Sequence, residues 1–145
     1  MPNADELRRI FDAAPFIRDL GLQLVEYGEG RCETRLALAE RHLQQDGLVH
    51  AGVQATIADH TAGSAAATLI GIDKMVLTVE FKINLLRGAN GHSLHCKAAV
   101  LKPGSRLSVV ESEVYCEKPG TTELVSKALV SLAIVNKRSS SPHLS

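Results

Sequence analysis

The sequence of 145 residues has few aromatic side chains, no excess of charge of either sign and no paired cysteine motif. Phe, Trp and Tyr together make up 3% of it, so the composition indicates no stacking pocket for aromatic ligands. Tyr27 and Phe81 are the candidates to line such a pocket if one exists. Basic and acidic residues number 16 each. A chain this balanced lacks the basic field that attracts nucleic acids or anionic membranes, so we expect neither as a partner.

The three cysteines are widely spaced and form no CxxC pair, and no cluster of His, Cys and Asp has the spacing of metal ligands. An odd number of isolated cysteines is typical of reduced thiols in a cytoplasmic protein. Cys32, Cys96 and Cys116 each lie in an alternating, strand-like run, where a cysteine acts as a small buried apolar residue. We therefore expect a cytoplasmic protein that uses no metal and no cofactor.

Long apolar runs that could enter a membrane are also missing. Residues 1–12 are charged and lack the apolar stretch of a signal peptide. Residues 51–72 are long enough to span a bilayer, but they are rich in alanine and contain Gln54, Asp59 and His60. This segment is therefore predicted to be a buried helix of a globular protein.

The remaining sequence predicts an ordered series of helices and strands. Leu7, Ile10 and Phe11 occur at helical spacing within residues 4–13, which predicts a short amphipathic helix interrupted by Pro15. Alternating runs separated by turn residues predict six strands, and the Ala-rich segment predicts one long helix. The strands are predicted at 21–27, 31–38, 75–87, 92–101, 106–117 and 123–135, and the long helix at 51–69 with Gly71 ending it.

Consecutive hairpins favour an antiparallel sheet, and a helix that is apolar all round must be covered on several sides. An α+β fold in which a curved sheet wraps around the central helix meets both demands. An open sheet leaves unpaired edges, which commonly pair with a second copy, so we expect at least a homodimer. We also expect one domain over residues 1–136 and a disordered, Ser-rich tail over residues 137–145.

Asp59 is the residue that most indicates function, because it is a single carboxylate within an otherwise apolar helix. Buried carboxylates without a partner are rare, since removing the charge from water is costly. Asp59 therefore has a partner or faces a wet pocket. His60 points about 100° away from it around the helix, so the two are not expected to act as a dyad.

Two blocks of the sequence resemble the PaaI-like acyl-CoA thioesterases, which have the hotdog fold. The first is Gln44-Gln45-Asp46-Gly47-Leu48-Val49-His50-Ala51-Gly52 followed by Asp59, and the second runs from Leu77 to Ala89. The family commonly has Asn at position 44, Gly at position 51 and Pro at position 88, where this chain has Gln, Ala and Gly. The resemblance covers roughly residues 15–136 and implies hydrolysis of an acyl-CoA thioester.

The start of the long helix suits the chemistry of such a reaction. Free N–H groups at a helix N-terminus stabilise a developing oxyanion, and the amides of Ala51 and Gly52 are the candidate donors. The resemblance implies that Gln44 positions the carbonyl or a water and that His50 arranges the loop. Asp59 is the candidate general base or nucleophile, and the sequence leaves both roles open.

Further site candidates are Thr78 and three basic residues. Thr78 matches a hydroxyl position that orients the water in relatives, but alternation places it with Glu80 and Lys82, away from the apolar face formed by Leu77, Val79, Phe81, Ile83 and Leu85. Arg87, Lys102 and Arg106 lie near turns and are candidates to bind the phosphates of coenzyme A on charge alone.

Helix geometry predicts a site shared between two protomers. Ala51 and Asp59 are eight residues apart, so they are separated by about 12 Å along one helix and cannot act on one carbonyl. Two antiparallel helices related by a twofold axis would bring the N-terminus of one beside Asp59 of the other, giving two sites per dimer. Whether two such dimers associate is left open.

Two other functions remain open at this stage. A hydratase or dehydratase of acyl thioesters could use the same fold, with a histidine and an acid paired across a dimer. A non-catalytic acyl-CoA-binding module is the third possibility, and an intact Asp59 argues against it.

Overall fold

The computed structural model describes residues 4–138, in which the alternating runs form one antiparallel sheet beside three α-helices. Residues 139–145 of the expected disordered tail lie outside the described residues, and Lys137 and Arg138 follow the last strand without regular structure. The helices are α1 (Ala4–Ala13), α2 (Pro15–Leu20) and α3 (Ala51–Ala67), and the strands are β1 (Gln23–Gly28), β2 (Arg31–Ala37), β3 (Lys74–Leu85), β4 (Ser93–Lys102), β5 (Leu107–Lys118) and β6 (Thr121–Asn136).

The six strands follow the order β1-β2-β4-β5-β6-β3, and each neighbouring pair is antiparallel. Helix α3 packs against β2, β3, β4, β5 and β6, so the sheet curves around it. This arrangement confirms the hotdog architecture expected from the sequence. All three cysteines are buried, as their positions in alternating strands predicted.

Small side chains let the sheet approach α3 closely. Ala58, Ala62 and Ala65 are fully buried, and of the helix's residues only Ala51 and Gly52 at its start are exposed. The helix ends earlier than predicted, because Thr68 rather than Gly71 closes it. The Thr68 hydroxyl donates to the Ala65 carbonyl at 2.7 Å and accepts from the Gly30 amide at 2.7 Å, which ties the end of α3 to the β1–β2 turn.

The N-terminal segment contains one helix more than the sequence indicated. Helix α1 matches the prediction, but Pro15 both interrupts it and occupies the first turn of a second helix, α2. Proline suits this position because its missing N–H would have no partner in the first turn. Gly21, with φ of 90°, ends α2 in the left-handed conformation that glycine adopts without strain.

A β-bulge in β3 corrects the predicted alternation of that strand. Thr78 pairs with Leu132 and Glu80 pairs with Ser131, so Val79 is an extra residue in the ladder. Side chains alternate with a period of two, so the extra residue puts the part of β3 before the bulge out of step with the part after it. Thr78 therefore faces the helix instead of sharing a face with Glu80 and Lys82, and Leu77 and Val79 are exposed by 50% and 62%.

A buried pair of hydroxyls joins α3 to the sheet and provides a test of the core. The side chains of Thr34 and Thr61 are fully buried and share a hydrogen bond of 2.8 Å. Thr61→Val should lower the free energy of unfolding by about 1–3 kcal/mol, because it leaves the Thr34 hydroxyl buried without this partner. In urea unfolding, the double variant Thr34→Val with Thr61→Val should be more stable than the single one, and a less stable double variant would contradict this account.

Candidate active site

The carboxylate of Asp59 meets the hydroxyl of Thr78 in the gap between α3 and β3. Thr78 Oγ1 donates a hydrogen bond of 2.6 Å to Asp59 Oδ1. The contact exists because the bulge turns Thr78 toward the helix, and it holds one carboxylate oxygen while the other is free of any hydrogen bond to the described residues. Asp59 is half-buried, and Thr78 is a partner of the kind that was one of the two alternatives expected for it.

An apolar cavity of about 220 Å³ adjoins this carboxylate and forms the first cavity. Gly63 and Ala67 follow Asp59 at helical spacing on α3, and their small or missing side chains leave the space that the cavity occupies. The sequence showed this stripe of small residues, but it did not indicate that the stripe borders a cavity rather than packed sheet. The first cavity is lined by Ile10, Phe11, Leu24, Tyr27, Cys32, Asp59, His60, Gly63, Ser64, Ala67, Val76, Thr78 and Leu132.

Asp59 also borders a cavity of about 250 Å³ on its other side, lined by Phe16, Ile17, Ala55, Thr56, Asp59, His60 and Phe81. Tyr27 and Phe81, which the sequence suggested as pocket residues, thus lie in different cavities on either side of the carboxylate. The carboxylate can therefore be approached from two directions.

The N-terminus of α3 offers one amide rather than two. His50 is the N-cap, and its Nδ1 accepts a hydrogen bond of 2.8 Å from the Gly52 amide. The Gly52 amide is thus occupied, contrary to the expectation that it is open to a ligand. The Ala51 amide has no hydrogen-bond acceptor among the described residues and is exposed, so it is the donor that remains at this end of the helix.

Gln44 closes a turn in the loop before α3. The side-chain Oε1 of Gln44 accepts hydrogen bonds from the backbone amides of Asp46 and Leu48. The backbone amide of Gln44 donates to the Leu48 carbonyl at 2.8 Å. Because the side-chain oxygen is used in this way, its NH₂ group is the part of Gln44 that can donate to a ligand.

His42 holds the same loop in place, although nothing in the sequence marked it as a residue of the site. The imidazole is 1% exposed, its Nδ1 accepts from the Ala39 amide at 3.0 Å, and its Nε2 donates to the Leu20 carbonyl at 2.8 Å. The His42 carbonyl in turn accepts from the His50 amide at 2.9 Å. A lone histidine in a polar loop carries no sequence signal for this role, because its partners lie in other parts of the chain.

The three basic candidates lie at two ends of the sheet. The Arg87 amide donates to the Val125 carbonyl, whereas the Arg106 carbonyl accepts from the Ile134 amide. Val125 and Ile134 are nine residues apart on β6, which corresponds to about 30 Å. Lys102 pairs with Val109, near Arg106. One protomer therefore cannot bring Arg87 to the same phosphate as Lys102 and Arg106.

His60 packs edge-on against Phe11 with ring centroids 4.7 Å apart, and it lines both cavities that border Asp59. Its Nε2 is buried and has no hydrogen-bond partner among the described residues. Burial lowers the pKa of His60, and the negative charge of Asp59 opposes this effect only in part. The ring is therefore neutral at neutral pH.

The lowered pKa of His60 predicts a pH-dependent stability. His60 takes up a proton at a higher pH in the unfolded chain than in the folded one. The contribution of neutral His60 to the free energy of unfolding is therefore fully present above the ordinary pKa of about 6.5, and it is lost as pH falls below that value. We expect the melting temperature of the wild type to fall more steeply than that of His60→Gln as pH is lowered from 7 to 5. His92→Gln, which changes an exposed histidine, is the control and should follow the wild type. Parallel curves for wild type and His60→Gln would contradict the prediction.

Neither metal ligands nor a membrane helix is found in the part of the chain that the structure describes. No group of three or more His, Cys, Asp and Glu side chains in residues 4–138 is arranged to hold a metal ion. No helix within these residues is long and apolar enough to cross a membrane.

Comparisons with known proteins agree with this fold. A model of the thioesterase superfamily matches residues 46–123, which are more than half of the chain and include the start of α3, Asp59 and Thr78. The 1,4-dihydroxy-2-naphthoyl-CoA hydrolase of Listeria monocytogenes is 26% identical over 119 residues, covering 82% of this chain and 94% of that protein.

Two solved structures are similar over almost the whole chain. A thioesterase family protein from Silicibacter pomeroyi has a TM-score of 0.90 and 31% identity, and the match covers 92% of this chain and 98% of that one. A thioesterase from Haemophilus influenzae has a TM-score of 0.82, with coverage of 94% and 92%, and its 19% identity supports the fold alone. The relatives support thioester hydrolysis as the general activity, and the chain belongs to the thioesterase superfamily.

Proposed function

We propose that this protein is an acyl-CoA thioesterase of the PaaI-like kind, which hydrolyses its substrate to a free acid and coenzyme A. The hydrogen bond of 2.6 Å between Thr78 and Asp59, at the edge of an apolar cavity, is the observation that carries the proposal. An acyl chain in that cavity would place its thioester carbonyl near the carboxylate. Thr78 holds one oxygen of Asp59, and the other is free to act.

Two routes of hydrolysis fit this geometry. As a general base, Asp59 takes a proton from water while the water oxygen attacks the carbonyl carbon. As a nucleophile, it attacks that carbon itself, and water then hydrolyses the resulting anhydride. In both routes the carbonyl oxygen becomes an oxyanion, the carbon–sulfur bond breaks, and the thiolate leaves and takes up a proton.

The oxyanion is stabilised by the start of α3. The Ala51 amide has no acceptor within residues 4–138, and the partial positive charge of the helix N-terminus adds to its effect. His50 keeps this end of the helix in place through its bond to the Gly52 amide, so Gly52 acts as a positioning residue. The NH₂ group of Gln44 supplies a second donor to the carbonyl or to the attacking water.

The carboxylate and the oxyanion donor come from different protomers. Ala51 and Asp59 lie about 12 Å apart along α3, too far to act on one carbonyl. Strand β3 is a twelve-residue edge of the sheet with one paired side, and it exposes Leu77, Val79 and Leu85. Long apolar edges of this kind pair readily with another chain. Antiparallel pairing of two β3 strands would set the α3 helices side by side and complete two sites.

Arg87, Lys102 and Arg106 are the candidates to bind the phosphates of coenzyme A. Arg87 lies two residues before Ala89, and the Ala89 carbonyl accepts a hydrogen bond of 2.9 Å from the Val49 amide in the loop before α3. Arg87 can therefore bind a phosphate near the oxyanion donor. Lys102 and Arg106 are the phosphate candidates at the opposite end of the sheet. The three free thiols suit a reducing compartment such as the cytoplasm. Residues 1–136 act as one domain in a dimer or a pair of dimers.

Free-thiol release from a panel of aliphatic and aryl acyl-CoAs tests the activity. A thioesterase releases one thiol and one free acid for each substrate consumed. A hydratase or dehydratase would change the acyl group without releasing thiol, and a binding module would bind acyl-CoA without turnover. Either of the latter results would overturn the proposal.

A further inference from the structure

A second apolar cavity, of about 240 Å³, continues from the first cavity beneath α1. The two cavities share three lining residues, which are Ile10, Ala67 and Val76. The rest of the second cavity is lined by the apolar residues Ile70, Ile72 and Met75 together with Gly71, and the charged residues Glu6, Lys74 and Lys137 also border it. These three shared residues form the boundary between the first cavity and the second cavity.

This boundary lies beyond the carboxylate along both α3 and β3. Asp59, Gly63 and Ala67 follow one another along one stripe of α3, so Ala67 lies about 12 Å from Asp59 along the helix axis. On the opposite wall, Val76 lies two residues before Thr78 on β3, about 7 Å away, and Met75 of the second cavity is the next residue in that direction. Both walls therefore run from the carboxylate, through the boundary, into the second cavity.

Ile10 is the one shared residue that comes from neither α3 nor the sheet. Ala67 and Val76 are set by the packing of α3 against β3. Ile10 extends from α1, and its side chain is 52% exposed although it lines both cavities. Phe11, next to it, is 3% exposed and anchors α1 against His60.

We propose that Ile10 is the partition that sets the length of the acyl chain the protein accepts, an inference that rests on the proposed thioesterase function. Ligand cavities usually measure about 300 Å³ or more, so the first cavity alone suits a short or medium chain, and only the two together suit a long one. The lining of the second cavity contains no aromatic ring. The occupant that fits it is an unbranched aliphatic chain.

The chain-length profile of hydrolysis tests this role. We expect kcat/KM of the wild type to rise from butanoyl- to octanoyl-CoA and then to stop rising for dodecanoyl- and hexadecanoyl-CoA. In Ile10→Ala the boundary is removed, and each further buried methylene should add up to about fourfold to kcat/KM. The ratio of dodecanoyl to octanoyl should then increase at least about tenfold over the wild type, and Ile10→Phe should shift the preference toward butanoyl-CoA.

Arg8→Ala is the matched control, because Arg8 is exposed on the same helix and lines neither cavity. It should leave the profile unchanged, and thermal unfolding checks that each variant is folded. If Ile10→Ala does not fold, the opposite shift in Ile10→Phe decides the question. Active enzymes with the same profile in wild type and Ile10 variants would overturn the partition, whereas a wild type that hydrolyses no acyl-CoA would overturn the proposed function itself.

Discussion

Asp59→Asn is expected to lower kcat for thioester hydrolysis by about 10²–10⁴-fold. Asparagine has the same shape as aspartate, and its carbonyl oxygen can still accept the hydrogen bond that Thr78 donates to Asp59 in the wild type. It can neither accept a proton from water nor attack the thioester. The loss should therefore appear in kcat, with little change in the melting temperature.

Asp73→Asn is the control for this prediction, because Asp73 is exposed and lies outside both cavities that border Asp59. It should release thiol at the rate of the wild type. Equal rates in Asp59→Asn and the wild type would remove Asp59 from its role, whether as base or as nucleophile.

Ala51→Pro is expected to reduce kcat by about 10²–10³-fold, the loss that follows removal of one oxyanion donor. Proline at the first position of a helix removes the amide hydrogen and is otherwise well tolerated. His50 has φ of −60° and ψ of 135°, an extended conformation that suits a residue before proline. Ala51→Gly retains the amide and should retain activity. A fully active Ala51→Pro would show that this amide does not contact the reacting oxygen.

Mixing the two inactive variants tests whether the site is shared. In a dimer of one Asp59→Asn and one Ala51→Pro protomer, one site has both an intact carboxylate and an intact amide, and the other has neither. Random mixing makes half of the dimers mixed, so about a quarter of the wild-type activity should return. If mixed dimers form and activity does not return, both groups act within one chain or the amide is not used.

Much of the fold follows from local patterns in the sequence. The strands are found because apolar residues alternate and turn residues separate the runs, and α3 is found because its small apolar residues extend over several turns. The predicted end of α3 was wrong, since the Thr68 side chain closes the helix through a contact with Gly30 in the distant β1–β2 turn. No helix-end signal in the local sequence reveals such a contact.

The site divides in the same way. Asp59 is evident from the sequence because a carboxylate in an apolar helix needs a partner or a wet pocket. Its partner was misplaced, because one extra residue at Val79 reverses the alternation of β3, and alternation read from the sequence assumes an unbroken ladder. The occupied Gly52 amide was also missed, since it depends on the rotamer of the His50 ring.

The sequence by itself determined the order of helices and strands, the burial of the cysteines and the position of the isolated carboxylate, since each depends on residues close together in the chain. Only the tertiary structure decided that Thr78 binds Asp59, that Ala51 retains the open amide and that Ile10 lines two cavities. These features depend on residues far apart in the sequence, and a shift of one position in a strand is enough to create or remove them.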